Sequence, residues 1–142
     1  MRRFLAAALM LIVAVHARAE HIPRVTQADR TEIQRVITAQ IDAFRRNDGD
    51  TAFGFASPNI QALFGDTQNF MRMVRRAYQP VYNPRSMHFE ELATHDSRIE
   101  QRVDLVGPDG HPAIAIYTME HEADGSWKID GCQLTEPDRV TA

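Results

Sequence analysis

Two side chains in this 142-residue chain are placed where an enzyme would need them, Asp42 and Tyr117. Asp42 interrupts an apolar run between Ile41 and Ala43, close to Phe44. A carboxylate in apolar surroundings is pushed up towards working pH, where it can act as a general base. Tyr117 follows Ile114 and Ile116 in a strand-like stretch. A phenol there can donate to a developing oxyanion or to a ligand carbonyl. The pair would suit an isomerase or a hydrolase acting on an apolar substrate. Each also has a plainer reading. Asp42 can lie on a solvated flank and pair with Arg45 or Arg46. Tyr117 can be a core aromatic with one satisfied hydrogen bond. Gln101, on the apolar face of its strand, has the same two readings.

The other candidates are apolar or scattered. Phe44, Phe55, Phe70, Met73 and Trp127, with Gln101 and Tyr117, are the expected lining of a ligand pocket. Phenylalanine and methionine surfaces suit an apolar small molecule, although most such residues form core. No metal or cofactor is expected. His21, His88, His95, His111 and His121 do not pair at helical spacing, and His121-Glu122 lacks the second histidine of a zinc-peptidase motif. Ser57 precedes Pro58, which reads as a helix cap rather than a nucleophile. Arg72, Arg75 and Arg76 read as a solvated helix face. Cys132 stands alone and reads as a small buried hydrophobe.

Those residues must be positioned by two kinds of element. Ile33, Val36, Ile37, Ile41 and Phe44 recur at helical spacing after caps at Thr26 and Asp29. Short helices are expected over residues 51–56 and 59–64, with Gly65 ending the second. A further helix carries Phe70, Met73, Val74, Ala77 and Tyr78 on one face and stops at Pro80. Pro84 keeps residues 82–85 irregular. Strands then follow over residues 87–93, 98–106, 113–122 and 127–134. The second alternates cleanly, with Ile99, Gln101, Val103 and Leu105 opposite Arg98, Glu100, Arg102 and Asp104. Gly107-Pro108-Asp109-Gly110 and Ala123-Asp124-Gly125-Ser126 are hairpin turns. Helices first and an antiparallel meander afterwards predict an α+β fold, with helices packed on one face of a curved four-stranded sheet.

The start of the chain reads as an address. Arg2 and Arg3 precede an uncharged apolar run over residues 4–15, and Ala17-Arg18-Ala19 follows. That is the pattern of a secretory signal peptide, predicting cleavage after Ala19 and a periplasmic or secreted protein. Residues 20–142 then form one domain. Losing Arg2, Arg3 and Arg18 takes the formal charge from −3 to −6. A mildly acidic domain is a poor partner for nucleic acid, and no second stretch is apolar enough to span a membrane.

The order of elements resembles the nuclear-transport-factor-2-like fold, also described as a SnoaL-like or cystatin-like cone. Asp124-Gly125-Ser126-Trp127-Lys128-Ile129 is similar to a hairpin often found there. The chain also resembles a domain-of-unknown-function family of short exported bacterial proteins. The matching pieces include Gln40-Ile41-Asp42-Ala43-Phe44, Ala52-Phe53-Gly54-Phe55-Ala56-Ser57-Pro58, Tyr78-Gln79-Pro80-Val81-Tyr82 and Trp127-Lys128-Ile129-Asp130-Gly131-Cys132. The first resemblance implies a cone with a pocket between helices and sheet, and the second transfers no catalytic residue. The expectation is an exported, non-catalytic domain that binds a small apolar ligand or a protein partner. The alternatives are the Asp42/Tyr117 enzyme and a sheet-mediated homodimer or envelope interaction module, for which Ile114, Ile116 and Leu134 would supply the apolar patch.

Overall fold

The computed structural model describes residues 24–137. The expected signal peptide over residues 1–19 lies outside them. Five helices precede four strands: α1 (Gln27–Arg45), α2 (Gly49–Gly54), α3 (Pro58–Phe64), α4 (Thr67–Ala77), α5 (Gln79–Tyr82), β1 (Ser86–His95), β2 (Arg98–Val106), β3 (Pro112–His121) and β4 (Trp127–Thr135).

Helix α1 begins with a reciprocal cap. Thr26 accepts from the Asp29 backbone N–H, and Asp29 accepts from the Thr26 backbone and hydroxyl. Its buried stripe of Ile33, Val36, Ile37, Gln40, Ile41 and Phe44 follows the helical period. Asn47 ends the run in a left-handed conformation, and Asp48 caps α2. Helix α2 therefore starts two residues earlier than the sequence suggests. Gly49 is needed there because a Cβ would come within 2.7 Å of Thr67 Cγ2 and 2.9 Å of Met71 Cγ. Ser57 caps α3, and Gly65 closes it at φ 78°. Helix α4 stops at Ala77. Pro80 does not simply end it: the proline opens the extra turn α5, where its missing N–H is harmless.

The strands form one antiparallel sheet in the order β1-β2-β3-β4. The alternation in β2 holds, with Gln101, Val103 and Leu105 turned to the core and Arg102 exposed. Two bulges break the regular register. In β1, Phe89 pairs with Val103 and Leu92 with Gln101, so Glu90 and Glu91 together face Arg102. In β4, Thr118 pairs with Gly131 but Met119 with Ile129, leaving Asp130 as the extra residue.

The second bulge corrects one expectation. An extra residue reverses the in–out parity of everything after it. Leu134 thus pairs with Ala115 and packs against the core rather than joining Ile114 and Ile116 on the outer face. The same reversal turns Cys132 towards Tyr117. Helices cover the inner face, and the core lies between them and the sheet. No helix among the described residues is long and apolar enough to cross a membrane.

Candidate functional site

Between the helices and the β3–β4 half of the sheet lies a cavity of about 370 Å³. Tyr117, Ile129, Gly131 and Cys132 form its sheet wall. Gln40 and Phe44 approach from α1, Ile60, Leu63 and Phe64 from α3, and Phe70, Met73, Val74 and Ala77 from α4. Ala56, Tyr78 and Val81 complete it. Phe70 is the centre of an aromatic cluster, 6.0 Å from Phe44, 5.2 Å from Phe53 and 5.6 Å from Phe64 between ring centroids. Such tilted and edge-on contacts pack rings firmly. Leu63 stands at the mouth, 73 % exposed.

Four lining residues carry polar side-chain atoms, and they differ in what remains free. Gln40 donates from Nε2 to the Ala52 carbonyl at 3.1 Å. Tyr78 donates to the Cys132 carbonyl at 2.9 Å. Tyr117 is fully buried, and its Oη makes no well-formed hydrogen bond, only a weak contact with a thiol. It lies beside the Cys132 thiol, and burial raises the phenol well above its ordinary value of 10.0. Cys132 is partly exposed as a residue, but burial of its thiol pushes the pKa up to about 12. The thiol is therefore protonated at neutral pH and is a poor nucleophile.

The family model of a domain of unknown function, DUF4864, matches residues 26–142. The chain belongs to that family. No curated protein matches it. Among solved structures it is similar to an NTF-2 like protein of unknown function from Burkholderia xenovorans LB400. That likeness has 15 % identity over 78 % of this chain and 88 % of the other, with a TM-score of 0.47.

In this DUF4864 chain, four of the expected pocket residues meet in the cavity: Phe44, Phe70, Met73 and Tyr117. The other three, Phe55, Gln101 and Trp127, are elsewhere, and so is the candidate base Asp42. Phe55 ends α2, and its carbonyl accepts from Ile129 N at 2.9 Å. Gln101 is buried under the β1 bulge, where Nε2 donates to the Glu90 and Arg102 carbonyls at 2.6 and 2.9 Å. Trp127 donates to Asp29 Oδ1 at 3.1 Å and stacks on His121. Asp42 does not line the cavity. Its side chain is 47 % exposed and contacts Arg45 at 3.2 Å. The helical period explains this placement: the inward stripe takes Gln40, Ile41 and Phe44 and turns Asp42 to the flank.

Gln40, Tyr78, Cys132 and the three α3 residues are cavity residues that sequence reasoning missed. Gln40 carried a signal, because it stands three and four residues from Ile37, Val36 and Phe44 on the apolar stripe. Cys132 reads as a buried small hydrophobe, and its thiol is buried, but the wall it joins depends on the bulge beside Gly131. Among the described residues, no group of histidine, cysteine, aspartate and glutamate is placed to hold a metal ion.

Proposed function

We propose that the chain is exported and that the processed protein holds a small apolar molecule in this cavity without transforming it. The observation that carries the reading is the cavity itself. Its volume falls within the roughly 300–1,000 Å³ of ligand pockets, and its walls are mostly hydrocarbon and aromatic rings. Binding is favoured over catalysis by the separation of the two expected catalytic groups. Tyr117 lines the cavity, whereas Asp42 is on the outer flank beside Arg45. Export is supported by the charged, apolar and small-residue order of residues 1–19.

A second reading, a sheet-mediated homodimer, is favoured by Ile114 and Ile116. Both are half-buried on the sheet face opposite the helices. One experiment addresses both readings: native mass spectrometry of protein expressed from the full-length chain in a bacterial host and recovered from its envelope. The expected spectrum begins at Glu20 and carries a small extra mass that denaturation removes. Full-length protein confined to the cytoplasm would overturn export. Protein that neither retains a small molecule nor takes up an added apolar one would overturn binding. A dimer peak that persists on dilution would support the sheet interface.

A further inference from the structure

We propose that the molecule bound here is uncharged and presents one acceptor oxygen, a carbonyl or an ether, to Tyr117 Oη. This deepens the binding reading above and rests on it. The first support is what the cavity wall lacks: none of its residues is Asp, Glu, Lys, Arg or His. A carboxylate, phosphate or ammonium group inside it would lose its hydration with no countercharge to replace it.

The second support is the state of the polar atoms. Tyr78 has already spent its hydroxyl on the Cys132 carbonyl, and Gln40 directs its amide nitrogen to Ala52. Tyr117 is the lining residue with a buried, unpartnered hydroxyl. The Cys132 thiol beside it makes only weak hydrogen bonds. A buried donor without an acceptor is unfavourable, and a ligand oxygen at that point removes the penalty. An ammonium group could donate to Oη and meet the aromatic faces of Phe44, Phe64 and Phe70, but the phenol O–H would still lack an acceptor and no carboxylate in the wall would balance the charge. The hydroxyl thus discriminates among apolar molecules of similar shape, much as a buried polar group rejects an analogue that lacks its partner.

A matched set of two-ring probes tests this: acetylnaphthalene, ethylnaphthalene and naphthoate. Each is titrated by its own fluorescence into the full-length protein's processed form and into Tyr117→Phe. Acetylnaphthalene should bind roughly three- to tenfold tighter than ethylnaphthalene, with naphthoate weakest. In Tyr117→Phe the acetyl and ethyl probes should bind equally. The ligand-free variant should melt at or above the temperature of the native protein, because it loses only an unpaired hydroxyl. Equal binding of acetyl and ethyl probes to the native protein would overturn the acceptor and leave the cavity reading standing. Naphthoate binding tightest would overturn the neutral class. A lower melting temperature for Tyr117→Phe would mean that the hydroxyl is already bonded, which also overturns the proposal. Failure of all three probes would remove the binding reading and this inference together.

Discussion

The sheet carries two bulges, and they are stabilised in opposite ways. At the β1 bulge a single side chain does the repair. Gln101 is fully buried, and its amide nitrogen spans the Glu90 and Arg102 carbonyls. At the β4 bulge the repair comes from another part of the chain. Ser57 N donates to Ile129 O, and Ile129 N donates to Phe55 O, so the α2–α3 link runs beside β4 as a short parallel bridge. The Ser57 hydroxyl then donates to Asp130 Oδ1 at 2.6 Å. A side-chain plug leaves the surrounding helices where they are. A chain segment brings its helix with it, and here that helix is α3, which carries Ile60, Leu63 and Phe64 to the cavity. The same bulge turns Cys132 beneath Tyr117. One irregularity preserves the fold, whereas the other also shapes the site.

The largest expected effect breaks the first bulge. Gln101→Ala removes both hydrogen bonds and leaves a hole at a position with no solvent exposure. The two lost hydrogen bonds and the hole, partly offset by removing Oε1, which is buried without a partner, should together lower stability by about 2–3 kcal/mol. Chemical denaturation measures the loss. Probe affinity of the fraction that remains folded should be unchanged, because Gln101 does not line the cavity. A large fall in affinity with little loss of stability would mean that the two bulges are not separate in function.

Ser57→Ala breaks the second bulge and should have a smaller effect on stability, about 1–2 kcal/mol. The hydroxyl both caps Ile60 N at 3.2 Å and reaches Asp130, so α3 loses its cap and its side-chain tie to β4, while the backbone bridge through Ile129 remains. Probe affinity should fall modestly here, in contrast to Gln101→Ala, since the α3 wall is held less firmly. Comparing affinity and stability for the two variants separates a structural repair from one that shapes a site. Unchanged affinity in Ser57→Ala would show that the remaining ties hold the wall. These are the backbone bonds of Ile129 to Phe55 and Ser57, Gln61 Nε2 to the Phe53 and Ala56 carbonyls, and Asn69 Nδ2 to Phe64 O.

The contrast also explains how much was legible beforehand. Capping at Thr26, Ser57 and Gly65, the stripe of α1 and the alternation of β2 are local patterns, and each appears as its spacing implies. Of the seven side chains expected in a pocket, Phe44, Phe70, Met73 and Tyr117 line one cavity, whereas Phe55, Gln101 and Trp127 do not, because apolar or aromatic character alone does not say which buried face is open. Leu134, and the face that Cys132 takes, were not read, because one extra residue at Asp130 reverses their parity; the signal is the Asp130-Gly131 pair, since a glycine inside a strand often marks a bulge. Nor was Asp42 against Gln40. Both sit among apolar neighbours in the sequence, and only the angle around the helix axis separates an inward amide from an outward carboxylate. Pairwise neighbours in sequence are a weaker guide than the full stripe.

The smallest predicted effect concerns the charge around the second bulge. Glu120 is adjacent to the Asp130 carboxyl group, and its Oε2 is buried without a partner. Burial first, and then the charges of Asp130 and Glu122, raise its pKa above the usual 4.5. A carboxyl whose folded pKa is raised favours folding in its protonated form. Its stabilising contribution is complete below the unfolded value and is lost as pH rises through the folded value. At neutral pH ionised Glu120 therefore opposes folding. Glu120→Gln should raise the melting temperature slightly at pH 7, and the advantage should shrink as pH falls through the raised folded value and be gone below 4.5. The β1 bulge provides the control. Gln101, which repairs it, is uncharged, so the Gln101→Ala deficit should not follow this titration. A Glu120→Gln advantage that persisted unchanged into acid would show that shape, rather than charge beside Asp130, sets the difference.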